Sequence, residues 1–449
     1  MSRQYTRRSF LKLAATGAAG ALVAACQPVV MQPAGEGGAQ PAAPGEKVVR
    51  ILLDSWAMAE MPFDQYAREF SETHPGVRIQ LQSTFEGYDT KVLAQINDGT
   101  LEWSAAGISS SASSSLPRRI LSGMFQPMDD YFAASQEPGA DQVLSDMIPT
   151  LRKASEYEGK FWGLPYSFEN ISFNWRTDYF SEVGATDAPK TWDELLTIAR
   201  ELKKWGQEKK ITPFSFIPDL DASTGALIYS ALDNPFNEEM LLKWDSPEAL
   251  EALNFYKTMV VEELTPPHGF DGAIDMWLGG ALASLQAQSS RGVWGQRAFG
   301  TEKVVTSQIP TYKPGSGAGT AFWGNCISIL AKAPNPQEAT DYLIFTMGPQ
   351  NENFQKACIQ SGKTPVYQSA YDNIILRDPL FATFKWMIDM RDQVDRSVPR
   401  PFNNYFAIQD TYYRKYIVAF TEPGSTMTAE EVARAIMEDA RAEIAKQKM

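Results

Sequence analysis

The chain has 449 residues, 44% of them hydrophobic and 21% charged, which excludes a disordered, collagen-like or polytopic membrane chain and allows two or three folding units. Forty-one Lys and Arg against 54 Asp and Glu give a formal charge of −13, a field that repels a nucleic-acid backbone, so no nucleic-acid partner is expected. Two histidines in the whole chain argue against zinc and against histidine base catalysis, and neither a metal nor a cofactor is expected.

Thr6-Arg7-Arg8-Ser9-Phe10-Leu11-Lys12 precedes an apolar run from Leu13 to Ala25. A basic start and a run shorter than the roughly 20 residues of a membrane-spanning helix predict a removable export signal over 1–25. The run closes in Val23-Ala24-Ala25-Cys26, and the whole resembles a bacterial twin-arginine signal joined to a lipobox. That resemblance implies cleavage before Cys26, a lipid on its sulfur, and an extracytoplasmic body anchored to the cell membrane, in a periplasm or on the outer face. Residues 26–47, rich in Pro, Gly, Ala and Gln, bury too little apolar surface to fold and read as a flexible tether. Cys326 and Cys358 then remain, as a disulfide or as two buried thiols.

Val48 to Leu53 predicts a buried strand, and Phe63, Tyr66, Ala67 and Phe70 recur at helical spacing up to the His74-Pro75-Gly76 stop. Val77, Ile79 and Leu81 then alternate as a second strand. Strand, helix and strand in that order predict a βαβ unit, hence a parallel sheet with helices on its faces. A helix carrying Val92, Leu93 and Ile96 stops near Gly99, and Trp103 to Ile108 predicts a third strand. Farther on, Thr191 with Glu194 and Thr428 with Glu431 form capping boxes, and Ser246-Pro247-Glu248 opens another helix.

Several stretches resemble one family in order. Phe70 to Val77 is similar to its "EF-x-x-x-HPGV" helix end, Tyr88-Asp89-Thr90-Lys91 to "DDYxxKL", and Gly123 to Tyr131 to "GLLxPLDDY". Tyr157 to Tyr166 is similar to "Y-x-GKxYGLPY", and Pro189-Lys190-Thr191-Trp192-Asp193-Glu194-Leu195 to "PKTWDEL". These are motifs of the extracellular solute-binding proteins of family 1, the sugar-binding lipoproteins of ABC importers. The resemblance implies an α/β, two-lobed periplasmic-binding-protein-like fold of type II, each lobe a mostly parallel sheet flanked by helices, with a hinged cleft between. It implies lobe 1 over 48–168 and 315–368 and lobe 2 over 169–314 and 369–449, with crossings near Phe168–Asn170, Thr311–Gly319 and Tyr367–Asn373. It also implies a monomer without catalysis that captures a carbohydrate and delivers it to ABC permease transmembrane subunits. The chain departs from the family pattern at Leu101–Ala106 and at Gly280–Arg291, near the expected ligand loops, so the sugar cannot be copied from a relative.

Ligands of parallel α/β sheets sit beyond the carboxyl ends of strands, which selects Trp56 after the first strand, Phe85 and Glu86 after the second, and Ser109 after the third. An aromatic ring covers a sugar's C–H face, while carboxylates, amides and Arg take its hydroxyls. By the resemblance, Glu169 at the first crossing is a sugar-contacting glutamate; a solvated loop acid or a salt-bridge partner is the competing reading. Tyr166 beside it, Trp323 and Asn325 after the Gly-rich loop, Gln288 and Arg291 in a polar run, and Tyr405 after Asn403-Asn404 are cleft candidates; packing roles compete at Tyr166, Trp323 and Tyr405, and surface exposure at Arg291. Gly315 to Thr320 lacks the Lys-Ser/Thr of a phosphate loop, and no Gly-x-Ser-x-Gly elbow occurs. The alternatives are a secreted glycan-active lipoprotein enzyme and a binding partner of a chemosensory receptor.

Overall fold

The computed structural model describes residues 45–84, 87–108, 115–268, 271–317 and 319–447, apart from the side chains of Ile108, Ser115 and Trp323. Cys26 and the export signal lie outside them. Among the described residues there are ten strands: β1 (Lys47–Leu53), β2 (Val77–Ser83), β3 (Ala105–Ile108), β4 (Glu156–Tyr157), β5 (Lys160–Phe161), β6 (Leu164–Arg176), β7 (Ser215–Phe216), β8 (Ser284–Gln288), β9 (Val304–Ser307) and β10 (Phe322–Ile329). β4 and β5 pair as a hairpin, and the rest form one sheet in the order β2-β1-β3-β10-β6-β8-β7, with β9 also on β6.

Helices cover the faces of this sheet because its strands are apolar on both sides. Along β1, Val49, Ile51 and Leu53 enter one core with the helices Phe63–Thr73 and Pro336–Met347. Leu52 points the other way, to Val92 and Ile96 of the helix Tyr88–Asp98. That helix ends at Gly99, whose φ of +70° is the left-handed cap a Cβ would disfavour. A second core gathers Ile171, Phe173 and Trp175 of β6 with the helices Trp192–Gly206, Thr224–Ala231, Pro247–Val261, Tyr405–Thr421 and Ala429–Gln447. The capping boxes close as expected. The Glu194 amide donates to Thr191 Oγ1 (3.3 Å) and Lys190 donates to Glu194 Oε2 (2.7 Å), while Glu431 donates to Thr428 Oγ1 at 3.2 Å.

Membership passes from the first core to the second between Phe168 and Ile171, within β6. The return falls between Ala321 and Phe322, just past the expected Thr311–Gly319. The last passage differs more. Tyr371, Ile374, Ile375, Phe381, Met387 and Val394 all bury in the first core, so the change lies between Val394 and Phe406 rather than at 368/369. The resemblance could not foresee this, because the apolar side chains of 370–394 are what close that face of the first core.

Candidate functional site

Strand direction builds the site. β1, β2 and β3 are parallel, and β10 runs against both β3 and β6, so β6 shares the direction of β1. Since β6 runs from the first core into the second, the carboxyl ends of β1 to β3 point toward the second core. β8 is antiparallel to β6 and parallel to β7, so their carboxyl ends point back toward the first. Two sets of strand ends therefore face each other across the crossing, the place where ligands of such sheets bind.

Glu169 stands at this crossing, 3% exposed, its backbone opposite Trp323 of β10. Ser290, opening the helix Ser290–Phe299 just after β8, donates its hydroxyl to Glu169 Oε1. Lys363 donates to Oε2 at 3.1 Å and is itself buried. The Lys363 ammonium also lies 4.4 Å from the centre of the Trp56 ring, a favourable cation–aromatic distance. Burial pushes the Glu169 carboxyl up, but Lys363, Arg291 and the Ser290 hydroxyl outweigh it and hold it below the usual carboxylate range. Arg291 is pushed down by burial, against the pull of Glu169 and Glu60, and its guanidinium lies 3.8 Å from the Trp294 ring centre. Several buried polar atoms have no hydrogen-bond partner here: Gln288 Oε1, Ser289 Oγ, Arg291 Nε and Asn170 Oδ1.

Of the sequence candidates, the structure brings together Trp56, Glu169, Gln288 and Arg291. Trp323 reaches the group through its backbone; its side chain, and the residues Phe85, Glu86 and Ser109, lie outside the described residues. The structure places the other three candidates in packed surroundings. Tyr166 is core, edge-on to Phe63 at 5.4 Å, because its side of β6 packs on the first helix layer. Asn325 is fully buried beside a register shift in β10 and donates to Ser167 Oγ at 3.0 Å, while its Oδ1 has no hydrogen-bond partner. Tyr405 opens the helix Tyr405–Thr421 and packs against a separate cluster of Leu241, Ile408, Ala440 and Ile444.

Sequence reasoning missed Lys363, whose only local mark is Gly362-Lys363-Thr364-Pro365, and the charged group after β7. There Asp221 pairs with Arg400, which lies 3.8 Å from the Phe406 ring centre. Asp410 accepts from the Leu220 amide (2.9 Å) and from Arg414 (2.8 Å). Burial, reinforced by Asp410, pushes Asp219 up to about 6 despite the Ala222 amide and the two arginines. Burial, with Arg414 nearby, pushes His268 down to about 4.

Comparison with known proteins adds to this geometry. Residues 65–383 match the family described as bacterial extracellular solute-binding protein. A Brucella abortus (strain 2308) chain that carries the name of a binding protein is 26% identical over 362 residues, covering 74% of this chain and 83% of that one. The lactose-binding protein of Rhizobium radiobacter is 26% identical over 284 residues, 57% of this chain and 62% of that one. Among solved structures, the sugar-binding protein MalE of the phytopathogen Xanthomonas citri superposes with a TM-score of 0.73 at 16% identity, covering 89% of this chain and 98% of that one. The fold is thus the two-lobed type II periplasmic-binding-protein fold.

Proposed function

The chain belongs to the bacterial extracellular solute-binding protein family, and we propose that it is the substrate-binding component of an ABC importer, capturing a carbohydrate in the cleft between its two halves. The observation that carries this reading is the opposition of two sets of strand ends across Glu169, with Trp56 on one side and Gln288 and Arg291 on the other. Relatives named as binding proteins for lactose and other sugars support a carbohydrate. They also support capture without turnover, since they are named for binding.

The two cores act as lobes hinged where the chain passes between them, at 168–171, 321–322 and 394–406. Closure follows from binding, because only the closed arrangement gives the sugar contacts from both sides. The body works outside the cytoplasm as a monomer, held by a lipid on Cys26 and the tether behind it, and hands its sugar to permease subunits. Among the described residues no helix is long and apolar enough to cross a membrane.

The test is a thermal-shift screen of the full chain against neutral sugars, followed by small-angle scattering with the best of them. Saturation at about 100 times Kd adds about 2.7 kcal/mol to stability. A stabilising sugar that also shrinks the particle supports the proposal. A sugar chemically converted by the purified protein would end it.

A further inference from the structure

The helix Glu352–Gln360 belongs to the first core through Phe354, Cys358 and Ile359. Its last carbonyls need partners from outside the helix. Those of Cys358 and Ile359 accept from the amides of Lys363 and Gly362, each at 2.9 Å. The carbonyl of Gln360 accepts from Arg297 Nη2 at 2.7 Å. Arg297 sits on the helix Ser290–Phe299, and that helix is fixed to the other half. Its Gln296 donates to the Val304 carbonyl (3.0 Å) of β9, which pairs with β6 over Phe173–Arg176. A cation of one half thus caps a helix of the other, at the negative end of its dipole. Resting on the reading of two hinged halves above, we infer that Arg297 is a latch: its bond to the Gln360 carbonyl holds the halves together in the sugar-free chain and sets how readily the cleft opens.

Position gives the bond its leverage. The relay Lys363–Glu169–Ser290 also joins the halves, but Glu169 lies at the crossing itself, where rotation moves atoms least. Arg297 lies two turns beyond Ser290, about 10 Å along the helix. At that radius a rotation of about 6° parts donor and acceptor by about 1 Å, beyond hydrogen-bond reach. Opening therefore has to break this bond. Both of its ends belong to the protein, so the closed arrangement gains it with or without a solute. Arg297 and Gln360 are exposed, and competing water limits the bond's effect to roughly three- to tenfold in the closing equilibrium. A contact of that size biases the halves without locking them. The free chain rests partly closed, solute contacts add to the closure, and the latch must part again before release.

The experiment compares the full chain with Arg297→Met, Arg297→Lys and Gln360→Ala, first by small-angle scattering without sugar. Arg297→Met should be more open, with a larger radius of gyration than wild type, and Arg297→Lys, which keeps the charge, should fall between them. Gln360→Ala should match wild type, because the acceptor is the backbone carbonyl. Melting temperatures close to wild type verify that these exposed substitutions leave the fold intact. With the best sugar of the thermal-shift screen, stopped-flow release from Arg297→Met should be roughly three- to tenfold faster than from wild type. Equal scattering of wild type and Arg297→Met overturns the latch. So does a lower melting temperature with unchanged scattering and release, which leaves Arg297 a helix cap only. An opening in Gln360→Ala as large as in Arg297→Met overturns the carbonyl as its partner. The scattering arm needs no sugar, so the two readings fail separately. A more open Arg297→Met in a chain that binds none of the screened sugars upholds the latch and counts against carbohydrate capture. A wild type that shrinks on sugar, with Arg297→Met matching it throughout, does the reverse.

Discussion

The Lys363 ammonium lies 3.1 Å from Glu169 Oε2, a buried ion pair between residues 194 positions apart. Removing one partner of such a pair leaves a charge in a dry site, typically a loss of about 3–5 kcal/mol. Lys363→Met should therefore be strongly destabilised in urea unfolding. Adding Glu169→Gln should recover part of the loss, so that the double variant is more stable than additivity predicts.

Gly362, next to Lys363, has φ of +84°, and a Cβ there would come within 3.0 Å of Ser290 Cα and of Val293. Gly315 has a similar φ of +78° with nothing within 4 Å of its Cβ position. Gly315→Ala should cost only the backbone strain, about 1–3 kcal/mol. Gly362→Ala should cost more and should also weaken sugar binding, because the start of the helix Ser290–Phe299 must move. Equal losses in the two variants, with unchanged binding, would contradict this.

Two groups in the second core should give opposite pH slopes. The folded chain holds His268 near 4 against an ordinary 6.5, so in that interval the unfolded chain binds the extra proton. Its contribution is present above 6.5 and is lost as pH falls toward 4. Asp219, raised from 3.8 to about 6, favours the folded state at low pH, and that contribution is lost as pH rises through 6. Denaturation across pH 4–8 should show His268→Gln with less acid sensitivity than wild type. Asp219→Asn should be more stable than wild type at pH 7.5, with the difference vanishing toward pH 4.

Cys326 and Cys358 are both free and buried, Cys326 with its thiol pushed up to about 12 and Cys358 raised as well, both by burial. Since the thiolate is the reactive form, neither should react with a thiol reagent in the native protein. Peptide mapping after labelling should find both modified only once denaturant is added. A disulfide-linked peptide joining them would refute the structure at this point.

Much of the local fold was legible because it is written in neighbouring residues. Thr191 with Glu194 announced a helix start, and the change of period at His74-Pro75-Gly76 announced β2. Trp56 was selected as a residue just beyond a strand, and Arg291 because it stands in a polar run. What escaped reading depends on which distant strands meet. Nothing beside Lys363 reveals that Glu169 is its counter-ion, or that Asp221 will meet Arg400. Tyr166 and Asn325 have the chemistry of cleft residues, and the structure buries both.

The first core joins segments far apart in the chain: the carbonyl of Val48 is held by Asn335 at 3.0 Å, that of Phe63 by Tyr342 at 3.1 Å, and the packing is completed only with Val394. A ribosome that has made β1 to β3 has made a half-built sheet whose missing strand, β10, is more than two hundred residues away. Such long-range closure slows folding and exposes unpaired edges meanwhile. The amino-terminal strands therefore stay without a neighbour until β10 is made, and the first core without its last side chain until Val394.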